Sequence, residues 1–530
     1  MSQKAMPSLR AYHLDLKRAM PRLDYLESFT DRLGALGYNA LLLEVEDKFT
    51  YREHPGLAHE TALDFPTWSR LAERWRNKGF ELIPMVQTLG HAEYVLTKAG
   101  YEHLREQPNV DSVYDPVSQE VQALLASQID DLVACFKPER FVHIGGDETH
   151  GLGGGEKSRP IVDREGVGGL YLQHMRPVFD RVRGHELRPM IWCDILLAHP
   201  EIVGQFERDL VMTEWDYFTR EPREPRTRIW GVGWVDWPGY QAKLGEAHKA
   251  MLDGYAVDEQ THRDGTFPTF YYLDVLADMG FDVVACPANR CSGDTVGIAD
   301  VTRHVPNGYR YAYKGARRGL GTLMTSWAIR HGHPETTWPS TYAAARAMDS
   351  QARAELDIDA MLNDCAGACF GVACPEFAQA ARLASVRVPM SESNTLLAPM
   401  RAVEAGETAR AAAWKQLGEE HAPELLRPRR HGIAQALAVF HQLRLRAQRQ
   451  GQTLDYWIEG AELMLFYADV ALALHGGLDK SEAQALLARL EALQARTAEL
   501  FAQTYQPTSV QEELAMRYAF HEKLLREFLG

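Results

Sequence analysis

The stretch DPVSQEVQALLASQIDDLVACFKPERFVHIGGDE, residues 115–148, holds one complete helix-then-strand unit. Asp115-Pro116 offers an N-cap and a first-turn proline, and the segment through Leu132 has helical apolar spacing. Arg140–Gly145 then reads as a short buried strand that runs into paired glycines and paired carboxylates. The same alternation extends to both sides. The other runs that read as strands are Leu9–Leu16, Ala40–Glu46, Glu81–Gln87, Arg188–Asp194, Leu210–Trp215, Asp282–Pro287 and Gly321–Trp327. Between the first two, Leu23, Leu26, Phe29, Leu33 and Leu36 fall on one helical face, with Gly37 as a C-terminal stop. Strand and helix alternating this often require a parallel sheet. Eight repeats predict a closed TIM (β/α)8 barrel over residues 8–345, with a doubly wound open sheet as the alternative.

Beyond about residue 345 the character changes. From Ser391 onward strand-like runs almost vanish, and Leu486, Leu490, Leu493 and Leu500 share one helical face. Leu454–Leu474 is a second long apolar helix. Residues 346–530 are therefore expected to form an all-helical domain packed on the barrel, stabilising it or pairing it as a homodimer. A wall for the substrate cleft is the other role considered. The Gly-rich GLGGGEKS at 151–158 misses the spacing of a phosphate-binding loop.

With 45% hydrophobic and 24% charged residues, the chain has the make-up of a folded globular protein. A formal net charge of -15 argues against nucleic acid or an anionic membrane as partner. No apolar run is long enough to span a bilayer. The N-terminal MSQKAMPSLRAYHLDL lacks a secretory h-region, and the seven cysteines form neither a disulfide framework nor paired metal spacing. A reduced, cytoplasmic protein without metal or cofactor is expected.

The chemistry concentrates at Phe141–Glu148, FVHIGGDE. Neighbouring side chains on a strand face opposite ways, so Asp147 and Glu148 can share a pocket only where the backbone turns, which Gly145-Gly146 permits. In a barrel that place is the C-terminal rim, where active sites sit. Two carboxyls in one pocket oppose each other's ionisation and so supply an acid and a base.

HIGGDE at 143–148 matches, without gaps, the His-x-Gly-Gly-Asp-Glu signature of glycoside hydrolase family 20, which this chain resembles. RAYHLD at 10–15, NALLLEVED at 39–47 and PMVQTLGH at 84–91 are similar to the family's first three strands. HLDLK, GHAEYVL, WDY and the start of the first strand near residue 9, which leaves no room for an accessory domain, resemble the hexosaminidase D branch. The resemblance implies retaining, exo-acting β-N-acetylhexosaminidase chemistry, with terminal GlcNAc or GalNAc glycans as partners. The substrate's own acetamido oxygen would be the nucleophile. It implies Glu148 as general acid–base with a raised pKa, and Asp147 as the carboxylate that holds the acetamide N–H. Asp47 and His91 would tune the acid, and Tyr217 would hold the acetamide oxygen. Tyr272-Leu273-Asp274 has the family's Tyr-x-Asp spelling but lies in a helical-looking segment. Arg10 and Asp216 are expected on sugar hydroxyls, with Trp192, Trp215 and Trp327 as apolar walls. The segment Trp230–Tyr240 either lines the leaving-group side or packs against the helical domain.

Two other readings remain. His143, Asp147, Glu148 and His150 are metal-ligand types within eight residues, which would suit a metal-dependent hydrolase. A non-catalytic glycan-binding barrel is the second.

Overall fold

A computed structural model describes residues 8–530; the N-terminal stretch read for a leader lies partly outside them. Eight parallel strands run β1 Leu9–Asp15, β2 Ala40–Glu44, β3 Glu81–Met85, β4 Phe141–His143, β5 Arg188–Trp192, β6 Val211–Trp215, β7 Asp282–Cys286 and β8 Gly321–Ser326. Each pairs with the next, and β1 returns to β8 through Arg10 opposite Thr322 and Tyr12 opposite Met324, which closes the barrel. The open-sheet alternative is excluded by that last pairing. The strands are almost wholly buried, as two-sided packing of a parallel sheet demands.

Local signals set the helix ends. Leu23–Ala35 stops before Gly37, whose φ of +89° is a left-handed turn. The helix before β4 begins later than the Asp115-Pro116 expectation. Ser118 caps Gln119–Phe136 by accepting from the Val121 N–H, while the Asp115 carboxylate is held by Lys157 and the Val117 N–H. The Gly-rich 151–158 segment is a closed structural loop. Glu106, from a hairpin ahead of β4, accepts hydrogen bonds from the N–H groups of Gly153 and Gly155 and from the Ser158 hydroxyl.

The helix after β8, Trp338–Ala347, packs beside Val301–Arg318 on the barrel wall. From Ile358 to Leu529 the described secondary structure is helical, and its long helices are Pro423–Arg446, Gly451–Gly476, Lys480–Phe501 and Pro507–Leu529. Trp457, Phe377 and Phe440 form their aromatic centre. The seam with the barrel is polar and buried. His331 in the loop after β8 meets Glu513 at 2.8 Å, Arg517 donates to the His331 carbonyl at 2.7 Å, and His333 stacks on Tyr456. No helix among the described residues is long and apolar enough to cross a membrane.

Candidate active site

At the end of β4 the backbone leaves the strand through two left-handed glycines, Gly145 at φ +62° and Gly146 at φ +90°. A Cβ on Gly146 would lie 2.8 Å from the Tyr171 hydroxyl, so a larger residue would also meet the helix behind. Glu148 itself is left-handed at φ +46°, an uncommon state for a residue with a side chain, and its N–H is held by Asp194 at 3.0 Å. This turn brings Asp147 and Glu148 into one cleft of about 510 Å³, the size of a site for a small ligand.

The third member arrives from the loop after β3. Gly90 presses so closely on the turn that a Cβ there would lie 2.2 Å from the Asp147 carbonyl. His91, left-handed at φ +55°, therefore reaches over both acids, with Nε2 3.3 Å from Asp147 Oδ2 and 3.5 Å from Glu148 Oε2. Burial opposes an imidazolium, but the Asp147 charge and the contacts with both carboxylates carry His91 well above its usual range. The same contact with His91 holds Glu148 below the ordinary carboxylate range, against the opposing effect of burial. This reverses the raised Glu148 pKa expected from sequence, because a cation between the acids outweighs their mutual repulsion. Behind the pair, burial and the Asp147 charge push Asp194 up to about 7. Among the described residues, Asp147 Oδ1 is buried and has no hydrogen-bond partner.

Trp215, Tyr217 and Trp327 form one side of the cleft, with Tyr217 stacked on Trp215 at 5.0 Å. Burial pushes the Tyr217 phenol well above its usual pKa, with smaller electrostatic contributions from Cys286 and Asp147, so it remains a proton donor. Asp47 also lines the cleft, but its carboxylate is engaged by Lys48 and Lys98.

Other expected residues lie elsewhere. Arg10 sits at the opposite, N-terminal end of β1, where it bonds the Met348 carbonyl and pairs with Asp349. Trp192 is fully buried against His143 and Trp327, beneath the cleft and not on its wall. Asp216 turns back on its own loop and accepts from Phe218, Thr219 N–H and the Thr219 hydroxyl. Tyr272 accepts from the Trp230 N–H, and Asp274 pairs with Lys314 and Arg318 on a helix outside the cleft.

The metal-ligand set read around His143 does not converge. His143 is buried in the barrel, bonded to Thr213 and the Gly145 N–H, and pushed down to about 3 by burial. Among the described residues, two other buried trios have metal-ligand spacing, His13/Asp15/Glu44 and Cys291/Asp294/His304. Their carboxylates already face Lys17 and Arg303, cations that a metal would have to displace.

Cleft residues that sequence reasoning passed over include Lys17, Glu46 and Arg228. Lys17 was legible two positions after Asp15 at the end of β1. Arg228 lies in the insertion after β6, where spacing carries no such signal.

The chain is 36% identical to human hexosaminidase D over 208 residues, 38% of this chain and 42% of that protein. It is 34% identical to bovine hexosaminidase D over 217 residues, 39% of this chain and 63% of that protein. Over these segments the chain is similar to hexosaminidase D. It thus spans less than two thirds of the length of either relative. No protein-family model matches the chain. Solved structures with a similar course include a β-N-acetylhexosaminidase from Bacteroides fragilis, 14% identical, covering 64% of this chain and 65% of that one at a TM-score of 0.46. A chitobiase from Flavobacterium johnsoniae, 15% identical, covers 98% and 78% at the same TM-score of 0.46.

Proposed function

We propose that this chain is a glycoside hydrolase of family 20, a retaining exo-β-N-acetylhexosaminidase that uses the acetamido group of its substrate as nucleophile. The observation that carries the reading is the unpartnered, buried Oδ1 of Asp147, beside Glu148 and enclosed by aromatic rings. A buried carboxylate oxygen without a donor is costly, and an acetamide N–H is the donor that would satisfy it.

In this mechanism the acetamide oxygen attacks the anomeric carbon while Glu148 protonates the departing glycosidic oxygen. Asp147 accepts the acetamide N–H and stabilises the positive oxazolinium as it forms. Tyr217 donates to the acetamide oxygen and aligns it. A sugar that fills the cleft strips water from Glu148, which raises its pKa, and the imidazolium of His91 supplies the proton. In the second half-reaction Glu148 takes a proton from water as the ring opens, with retention at the anomeric carbon. Trp215 and Trp327 give the sugar its apolar wall. The seven free, buried cysteines fit a reduced, cytoplasmic setting, which we include in the proposal.

The test is hydrolysis of four aryl β-glycosides, the N-acetylglucosaminide, N-acetylgalactosaminide, glucoside and galactoside, across pH. Cleavage confined to the acetamido sugars is expected. Equal cleavage of the plain sugars would overturn the acetamido nucleophile, and no cleavage of any would overturn the activity.

A further inference from the structure

The insertion between β6 and β7 carries a short hairpin, Thr227–Ile229 paired with Gly233–Val235, in which Arg228 lies directly opposite Trp234. Directly opposed residues of an antiparallel pair present their side chains on the same face. The Arg228 guanidinium lies over two indoles, 4.0 Å from the Trp230 ring centre and 5.0 Å from that of Trp215. It lines the catalytic cleft, and its charge helps keep Glu148 ionised. Among the described residues, no carboxylate lies within ion-pair distance of it and its side chain donates no hydrogen bond to the protein. The nearby carboxyl of Glu214 does not compensate it, since burial pushes that group well above the usual range and favours its neutral form. Trp234 is 40% exposed, a large apolar surface left in water, and its ring packs near Phe218, which also lines the cleft.

Apart from His91, the cleft is also lined by Arg18, which is exposed, and by Lys17, which contrasts with Arg228. Lys17 faces Asp15 and Glu44, so its charge is already matched. Arg228 is thus a cation held flat by aromatic rings with its N–H edge unspent, near the acid that protonates the leaving group. Such an edge suits a carboxylate or sulfate.

We propose that Arg228 and Trp234 form a leaving-group subsite selective for an acidic sugar, one bearing a carboxylate or a sulfate ester. The sugar ring stacks on Trp234 and its anion meets Arg228. This rests on the hexosaminidase reading above, because the acid end of the cleft defines the leaving-group side.

The experiment uses the full chain and three disaccharides with the same terminal β-N-acetylhexosamine, linked to a neutral hexose, a hexuronic acid or a sulfated hexose. The wild type is expected to favour at least one acidic disaccharide by about tenfold in kcat/KM, the worth of one charge-assisted pair. Which acidic arm is preferred tells carboxylate from sulfate. Arg228→Gln should bring the ratio of acidic to neutral close to one, and Arg228→Lys should retain part of it. Trp234→Ala should raise KM for all three and leave the ratio in place. A wild-type ratio near one, or a ratio unchanged in Arg228→Gln, would overturn the subsite. Aryl N-acetylhexosaminides report on the parent reading separately: their cleavage with a flat ratio sinks only the subsite, while no cleavage sinks both.

Discussion

Two clusters of acids and histidine sit at the strand ends of one barrel, and they are opposites. At the ends of β1 and β2, Glu44 is buried but receives His13 at 2.9 Å, Lys17 at 2.8 Å and Gln87 at 2.7 Å. Burial opposes its ionisation, yet Lys17 and His13 hold Glu44 well below the ordinary carboxylate range. At the end of β4, Asp147 and Glu148 share a single histidine on a strained turn, and Asp147 Oδ1 has no partner. Similar residue types thus do different work. The matched cluster holds the barrel mouth together, and the unmatched one has an unmet need that a substrate can fill.

The largest expected effect breaks the unmatched cluster. Asp147→Asn and Glu148→Gln should each lower kcat on aryl acetamido sugars by about 10²- to 10⁴-fold, the range for a positioned acid–base or charge-stabilising group. Glu148→Gln should spare substrates whose leaving group needs no proton, so rates against leaving-group pKa form the readout. A uniform loss across leaving groups would remove Glu148 from the acid role.

The matched cluster should fail in stability first. Lys17→Met strands the Glu44 and Asp15 carboxylates beside an apolar side chain, and breaking a buried pair on one side costs about 3–5 kcal/mol. The midpoint of urea unfolding, at unchanged slope, measures it. A loss below about 1 kcal/mol would mean that Glu44 finds compensation elsewhere and that the contrast between the clusters is false.

Much of this was legible before any coordinates. Buried strands are uniform apolar runs, so all eight were placed to within a few residues, and the paired glycines marked where β4 turns. Gly90-His91 came from the resemblance of PMVQTLGH at 84–91 to the family's third strand, since a lone Gly-His pair carries no local signal of its own. Depth along a strand leaves no such signal either. Arg10 precedes Asp15 by five residues, which at about 3.3 Å each puts it roughly 16 Å below the rim. Trp192 ends β5 as Trp215 ends β6, yet only Trp215 lines the cleft, so position on the strand alone does not tell them apart. Asp216 was misplaced because an aspartate after a strand caps its own turn as readily as it faces a ligand. Arg228 and Asp194 gain their meaning from tertiary neighbours that no local pattern encodes.

His91 joins the two comparisons, because it is the one cation of the unmatched cluster. Its pKa is raised in the folded state, so its contribution to stability is complete below about 6.5 and is lost as pH rises through the raised value. The proton shared with Glu148 also sets activity. In His91→Gln the basic limb of the kcat/KM profile should move to lower pH by about one unit or more, since Glu148 must then hold the proton alone. A basic limb that stays in place would show that Glu148 keeps its own proton and that the histidine is only a spacer.

The smallest effect separates the sequence expectation from the structure most cleanly. Arg10 matches the family spacing for a sugar-binding arginine, yet its guanidinium ties the start of β1 to the Met348 carbonyl and to Asp349. The ion pair is partly exposed, at 26% for Arg10 and 37% for Asp349, so solvent screens most of its worth. Arg10→Ala should therefore cost about 0.5–1.5 kcal/mol of stability, mainly through the lost carbonyl bond, and should change kcat/KM by less than about twofold. A rise in KM of tenfold or more, with stability intact, would place Arg10 on the substrate and move the sugar far deeper into the barrel than the cleft around Asp147 allows. If the arginine is only a tie, the lower end of β1 is structure, as the matched cluster at its upper end is. Matched charge then extends down the whole length of that strand.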